Sequence, residues 1–320
     1  MTAPVAVTGA SGFVGRTLVA QLLGSGHQVR AMVHRTRLGI NHPALETVTG
    51  DVTDEDALKR LMTDCKAIVH VAGLVRGRSE ADFLPVNAEG ASRVARLART
   101  MRISPRLILM SSLAAREPGL SAYAASKRKG EEQLAAECEG SDLSWAVMRP
   151  TAIYGPGDRE LLPLFSLMAR GITPVFGLPD GRVSLLHVSD LAHATIALIN
   201  SDARGVYELH DGRENGYSLD DIATIVESVT ARGRGVRIRI PEHLLRGVAS
   251  ANLVASRLFG YQPMLTPGKV NELRHSDWVC DNTKLNRATG WQPMYSLNDG
   301  LQSLLNGASR KKNEVISNVI

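Results

Sequence analysis

Tyr123 and Lys127 stand four residues apart, and Ser112 lies eleven residues before the tyrosine. Positions i and i+4 share one face of a helix, so a helix opening here would point the phenol and the ammonium into the same cleft. A neighbouring cation favours phenolate. Lys127 is therefore expected to lower the Tyr123 pKa towards neutral pH, as suits a group that gives and takes a proton. Ser112 would hydrogen-bond the oxygen that exchanges this proton and fix its position. Taken singly, each residue also has an ordinary reading: Tyr and Lys fall four apart by chance on many helices, and a pair such as Ser111-Ser112 often closes a strand.

A second chemical feature lies near the start of the chain, where the apolar run Val5-Ala6-Val7-Thr8 is followed by Gly9, Gly12 and Gly15. This pattern predicts a strand, a tight turn and a helix. Gly9 lets the backbone leave the strand, Gly12 brings bare main chain up to a diphosphate, and Gly15 lets the helix pack close to the sheet. Ser11, Phe13 and Val14 complete the turn and the first helical residues, whose unpaired N–H groups and positive dipole end would face the phosphates. The competing reading is a βα turn that holds no ligand.

The elements that must carry these groups alternate strand and helix. Apolar runs predict strands at 27–34, 45–49, 67–72, 106–110 and 143–149, with helices at 16–23, 55–62 and 81–101 and another opening at Tyr123. Thr53 or Asp54 can cap the helix at 55–62. The alternation predicts an α/β fold, a doubly wound parallel sheet with its ligands across the carboxyl ends of the strands. The second strand ends in His34-Arg35-Thr36-Arg37, without a carboxylate to hold the ribose hydroxyls of NAD. Its positive charge suits the 2′-phosphate of NADP, with a solvated basic loop as the alternative. Val71-Ala72-Gly73 end the fourth strand, where small residues leave room for a dinucleotide. Arginines at 93, 96, 99 and 102 line one side of the long helix and read as a solvated face. Further on, helices are expected at 218–228, 241–259 and 297–305, and a strand at 236–240.

In chain order, Thr8-Gly9-x-x-Gly12-x-x-Gly15, the serines closing the fifth strand, and Tyr123-x-x-x-Lys127 opening the next helix resemble the extended short-chain dehydrogenase/reductase family, of the NAD(P)-dependent epimerase/dehydratase type. The resemblance implies a Rossmann fold with a smaller mixed α/β C-terminal substrate cap. The dinucleotide domain would take 1–155 and about 178–215, the cap about 156–177 and 216–308, and a mobile tail 309–320. It implies Ser112, rather than Ser111, with Tyr123 and Lys127 as the catalytic set, Lys127 also holding the nicotinamide ribose. Asp51 and Val52 would meet the adenine. Pro150 and Ile153, within Arg149-Pro-Thr-Ala-Ile-Tyr-Gly-Pro-Gly157, would lie beside the nicotinamide. Asn87 would brace the backbone near the site, and His187 and Asp190 would join the two domains. A homodimer through the helices near Asn87 and Tyr123 is a further family expectation.

The implied reaction is reversible hydride transfer between a nicotinamide and a carbon bearing a hydroxyl or carbonyl, with NADP(H) preferred and NAD(H) as the alternative. Ala152 stands where nucleotide-sugar enzymes of the family usually carry an asparagine, and Val183 where they often carry an arginine. The expectation is an NADP-dependent reductase or dehydrogenase for a small, non-nucleotide substrate of hydroxysteroid or dihydroflavonol type. The alternatives are a nucleotide-sugar epimerase/dehydratase and a non-catalytic NADP-binding scaffold or sensor.

Composition agrees with an ordinary soluble globular protein: 44% of the 320 residues are hydrophobic and 22% charged. The net charge of +5 arises without a long basic run, which suits an anionic cofactor and not a nucleic-acid partner. Cys65, Cys138 and Cys280 lie far apart, so no metal site is expected and the compartment is reducing. The chain enters its first strand without a basic or apolar leader, and the expected location is the cytoplasm. The apolar stretch 244–259, interrupted by Arg246, Asn252 and Arg257, is too polar to span a bilayer; it packs in the core or lies at an interface.

Overall fold

The computed structural model describes residues 3–304. Its first half runs β1 (Val5–Thr8), α1 (Phe13–Gly24), β2 (Val29–Val33), β3 (Leu45–Thr49), α2 (Glu55–Met62), β4 (Ala67–His70), α3 (Glu80–Asn87), α4 (Glu89–Arg99), β5 (Arg106–Met110), α5 (Ala122–Cys138) and β6 (Trp145–Pro150). There follow β7 (Ala152–Tyr154), α6 (Leu162–Met168), β8 (Ile172–Val175), β9 (Arg182–Val183), β10 (Leu185–His187), α7 (Val188–Ile199) and β11 (Gly205–Leu209). Last come α8 (Leu219–Val229), β12 (Val236–Arg239), α9 (Glu242–Phe259), α10 (Pro267–Arg274), β13 (Asp277–Trp278), α11 (Thr283–Thr289) and helical residues at 297–304.

Seven strands form one sheet in the order β3-β2-β1-β4-β5-β6-β11, every neighbouring pair parallel. The strand order reverses between β1 and β4, which makes the sheet the doubly wound Rossmann arrangement expected from the sequence. β1, β4 and β5 are buried along their whole length because helices cover both faces. Alternation along β1 divides the core. Val5 and Val7 pack with Leu18, Leu22 and Leu198 on the face of α1 and α7, and Ala6 packs with Leu58, Leu61 and Val94 on the face of α2 and α4.

The shorter strands pair in parallel twos, β7 with β10, β8 with β12 and β9 with β13. A third apolar cluster, around Tyr154, Phe165, Ile222, Val226 and Leu301, holds this smaller α/β part together. α6, α7, α10, α11 and the strands β7 to β11 and β13 were not expected from the sequence.

Two expectations about the long helix are corrected. It is broken into α3 and α4, with Pro85 inside α3 removing a backbone donor shortly before the break at Ala88. Its arginines are not simply solvated: Arg93 and Arg96 reach Glu55 of α2, Arg99 reaches Glu137 of α5, and Arg102 reaches Asp64. The stretch 244–259 is buried along only one face of α9, at Leu245, Ala249 and Ser256. Residue 305 and the tail at 309–320 lie outside the described residues.

Candidate active site

Because the sheet is parallel, every loop leaving a carboxyl end emerges at one edge. That edge gathers the Gly9–Gly15 turn after β1, His34 and Arg35 after β2, Asp51 and Val52 after β3, Val71, Ala72 and Gly73 after β4, and Ser111 and Ser112 after β5. Pro150 closes β6, and Ile153 sits in β7 opposite Leu186 of β10.

The three glycines of the first turn do different jobs. Gly9 has φ +65°, and a Cβ on it would stand 2.6 Å from the Ala72 backbone nitrogen, so this turn touches the end of β4 where the strand order reverses. A Cβ on Gly15 would run into the Gly9 carbonyl and come within 2.8 Å of the Ala10 Cα. Gly12 is exposed, and its Cβ would meet only the Gly9 carbonyl, at 3.2 Å. α1 begins directly after it with no side-chain cap and no acidic residue in its first turn. By contrast, Asp54, Ser121 and Ser218 cap α2, α5 and α8. The free donors of α1 beside the bare Gly12 backbone fit a diphosphate. Ser11, Phe13 and Val14 are partly exposed around it, and a Cβ on Gly157 would stand 3.5 Å from the Phe13 ring, which brings the loop after β7 to the same turn. At the ends of β2 and β3, His34 and Arg35 are exposed, and the His34 Nδ1 lies 3.6 Å from the Asp51 carboxylate. Hydrogen bonds from the Thr53 hydroxyl and N–H hold the Asp51 carboxyl below its usual range.

Ser121 caps α5 and sets Tyr123 in its first turn. The phenol lies beside the Ser112 hydroxyl, whose oxygen accepts the Ala114 N–H at 3.2 Å, and the ring meets Phe83 edge-on at 6.0 Å. The serine ending β5 and the tyrosine opening α5 thus meet, as the sequence leads one to expect. Their electrostatics differ from expectation. Burial pushes the phenol up to about 12, with the Ser112 hydroxyl opposing the rise and the Glu272 charge adding to it. Lys127, one turn along α5, is buried and donates from Nζ to the Met110 carbonyl at 3.0 Å. Desolvation lowers this ammonium to about 8 against the pull of Glu131. The expected lowering of the phenol by Lys127 is therefore corrected: burial dominates both groups, and Tyr123 keeps its proton at neutral pH. Gly73 lies against the ammonium, since a Cβ there would stand 2.8 Å from Lys127 Nζ and 3.2 Å from Asn87 Oδ1.

A polar frame holds these residues from behind. Asn87 accepts the Leu74 N–H at 2.8 Å and donates to the Leu74 carbonyl at 3.0 Å and to Ser126 Oγ at 2.9 Å, tying the loop after β4 to α5. Ser111 donates to Glu131, which Arg149 also grips at 2.9 and 2.5 Å, joining β5, α5 and β6. Sequence reasoning missed Glu131, although its spacing of four from Lys127 puts both on one helical face. It also missed Glu272 of α10, which is buried against Ser121 and Lys269. No local signal marks Glu272, because its partner Ser121 lies 151 residues earlier.

His187 caps α7 through the Ser189 N–H at 3.3 Å, and its ring lies 5.4 Å from that of Tyr154 and 4.3 Å from that of Tyr295. Asp190 accepts the Met294 and Tyr295 N–H groups at 3.1 and 3.0 Å, so both residues fasten α7 to the C-terminal segment. Burial lowers His187 to about 4 and His70, whose Nδ1 faces the Thr8 hydroxyl, to about 3. An unfolded histidine titrates near pH 6.5. Below that pH the unfolded chain takes up protons that the folded chain refuses, so stability falls as the pH drops from about 6.5 towards 4. Each histidine is expected to remove about 2 kcal/mol of stability at pH 5. Melting curves at pH 7 and 5 check this. His187→Phe should be less stable at pH 7 yet lose less on acidification, and an unchanged slope would rule His187 out as a source.

The three cysteines are buried free thiols, pushed by burial up to about 11 for Cys65 and Cys138 and about 12 for Cys280. Among the described residues no cluster of His, Cys, Asp or Glu could hold a metal ion, and no helix is long and apolar enough to cross a membrane.

A doubly wound parallel sheet whose first βα turn leaves free helix donors at the carboxyl edge is the arrangement of the NAD(P)-dependent Rossmann enzymes. Residues 5–209 match the NAD dependent epimerase/dehydratase family, and the chain belongs to it. It is 39% identical over 306 residues to the ceramide reductase of Caulobacter vibrioides, covering 92% of this chain and 91% of that one. It is 26% identical to the 3 beta-hydroxysteroid dehydrogenase/Delta 5-->4-isomerase of Mycobacterium tuberculosis, over 94% of this chain and 89% of that one. Among solved structures it superposes on MoeE5 in complex with UDP-glucuronic acid and NAD with a TM-score of 0.75, at 20% identity and covering 96% and 99% of the two chains. The chain is thus an oxidoreductase of this family.

Proposed function

We propose that this chain is an NADPH-dependent reductase that converts the ketone of a ceramide- or steroid-like lipid into a secondary alcohol. The observation that carries the reading is Tyr123, half-buried, protonated and beside Ser112 at the carboxyl edge of the sheet. When bound, NADPH supplies the hydride for the carbonyl carbon. Tyr123 gives its proton to the carbonyl oxygen as negative charge develops there, and Ser112 donates a hydrogen bond to that oxygen. Lys127, beside Gly73, holds the ribose hydroxyls and supplies positive charge to the phenolate that remains.

The lipid assignment is supported by the relative of 39% identity, a ceramide reductase, and by the two positions that depart from the nucleotide-sugar pattern. Ala152 and Val183 pack against the apolar cluster around Tyr154 and Phe165, and neither offers a polar group to a sugar nucleotide. Three reduced cysteines suit a cytoplasmic setting. The test follows NADPH absorbance with a keto-ceramide, a 3-ketosteroid and UDP-glucose as separate substrates. Turnover of a lipid ketone is expected. Epimerisation of UDP-glucose without net NADPH consumption would replace this reading with the sugar one.

The exposed Arg35 supports NADPH over NADH. Arg35→Asp is expected to reduce the NADPH/NADH preference in kcat/KM by about tenfold or more, because one charge-assisted hydrogen bond to the 2′-phosphate becomes a repulsion. An unchanged preference would remove Arg35 from the cofactor site.

A further inference from the structure

α9 is apolar on two faces. Leu245 and Ala249 of its inner face pack with Val270 of α10, and Asn252 donates to the Leu265 carbonyl at 2.8 Å. On the outer face Leu244, Val248 and Val254 are about half exposed, while Leu258 is 76% and Phe259 79% exposed. Their spacing of three to four, with Ala251 between, makes a continuous apolar stripe about four turns long. Just upstream, β12 exposes Val236 and Ile238 and runs through Ile240 and Pro241 directly into α9.

The charge around this stripe is as one-sided as its hydrophobicity. Between residues 229 and 265 the sequence has six arginines and a single carboxylate, Glu242, a formal excess equal to the +5 of the entire chain. Arg237 and Arg246 are paired with carboxylates. Arg232, Arg234, Arg239 and Arg257 form no ion pair among the described residues. An apolar helix face with the unpaired Arg239 just before its start and the unpaired Arg257 in its last turn complements a surface that is apolar inside and anionic at its boundary.

The position of α9 gives this surface a purpose. α10 lies against the start of α5, with Asn271 donating to the Leu120 carbonyl at 3.0 Å and Glu272 bonded to Ser121, two residues before Tyr123. α9 lies on the other side of α10, joined by the pair Arg274–Glu242 at 2.9 Å and by the Leu245–Val270 cluster. One helix therefore separates the exposed stripe from the tyrosine end of the active site.

We propose that the outer face of α9, with its flanking arginines, docks on the surface of an anionic lipid bilayer without spanning it. The docked face would bring the α10 side of the Tyr123 end of the site towards substrates dissolved in the bilayer. The proposal concerns the surface on which the enzyme works and holds whichever carbonyl it reduces.

The test is flotation of the full chain with vesicles of phosphatidylcholine alone and with vesicles containing phosphatidylglycerol. Binding to the phosphatidylglycerol vesicles is expected, weakened by high salt and weaker on phosphatidylcholine alone. Leu258→Glu with Phe259→Glu should lower the bound fraction by about tenfold or more, and Arg239→Glu with Arg257→Glu should abolish the preference for anionic lipid. Melting midpoints near that of the unaltered chain would show both variants folded. Failure of the unaltered chain to float with anionic vesicles would overturn the proposal. So would equal flotation of the folded Leu258→Glu, Phe259→Glu variant. A dimer in light scattering that this variant splits, with no vesicle binding, would assign the stripe to a second copy of the chain instead.

Discussion

Tyr123→Phe is expected to lower kcat by about a thousandfold while leaving dinucleotide affinity almost unchanged. The substitution removes one oxygen and keeps the ring that meets Phe83. That oxygen is the group beside Ser112, and its pKa near 12 means that it holds a proton to give across the neutral range. Nothing in the proposed diphosphate cradle is altered, since that turn after β1 packs on the end of β4, away from the phenol oxygen that is removed. Steady-state NADPH oxidation and a fluorescence titration of NADPH measure the two quantities separately. Undiminished turnover would mean that the proton comes from elsewhere. Tight NADPH binding with no turnover of any lipid or sugar substrate, identical in the unaltered chain and in the phenylalanine variant, would leave a scaffold or sensor as the better description.

Two glycines of one turn should respond in opposite ways. Gly15→Ala sets a methyl group against the Gly9 carbonyl and 2.8 Å from the Ala10 Cα, both rigid backbone between β1 and α1. The expected loss is about 3 kcal/mol of stability, seen as a lower melting midpoint whether or not dinucleotide is present. Gly12→Val places its bulk in open space, with one contact at 3.2 Å, so the fold should survive with a melting midpoint close to the parent's. Its side chain takes the space in front of the free donors of α1, and dinucleotide affinity should fall by about a hundredfold, the worth of one or two charge-assisted hydrogen bonds. A Gly12→Val protein with parental affinity would show that the phosphates lie elsewhere, and a Gly15→Ala protein with parental melting would contradict the close packing.

The ease of reading this chain from its sequence varies along it for physical reasons. β3, α2 and β5 begin and end where expected because each is a short run with one period, bounded by turn or capping residues such as Asp54. That the candidate site residues gather at one edge followed by the same route, since loops after parallel strands share one edge whatever their side chains do. The break at Ala88 was hidden because the apolar period continues across it while Pro85 disturbs only the backbone. Charge environment was hidden more deeply. The local pair Tyr123 and Lys127 suggests a lowered phenol, but the raised one depends on burial and on Glu272, a residue of another helix. Beyond β11 the strands are two to four residues long and pair across large gaps, as Val236 does with Ile172, so no window of sequence contains both partners. α9 shows the remaining difficulty: its composition fits a buried helix equally well, and only the packed structure shows that one apolar face is left open.

The burial of Cys65, Cys138 and Cys280 also makes the enzyme a ready host for chemical probes. At neutral pH none of the three presents an accessible thiolate to an alkylating reagent. One cysteine introduced on the surface, at Ser250 of α9 for example, would carry a fluorophore or spin label alone, and the environment of that helix could be followed without first replacing the native cysteines.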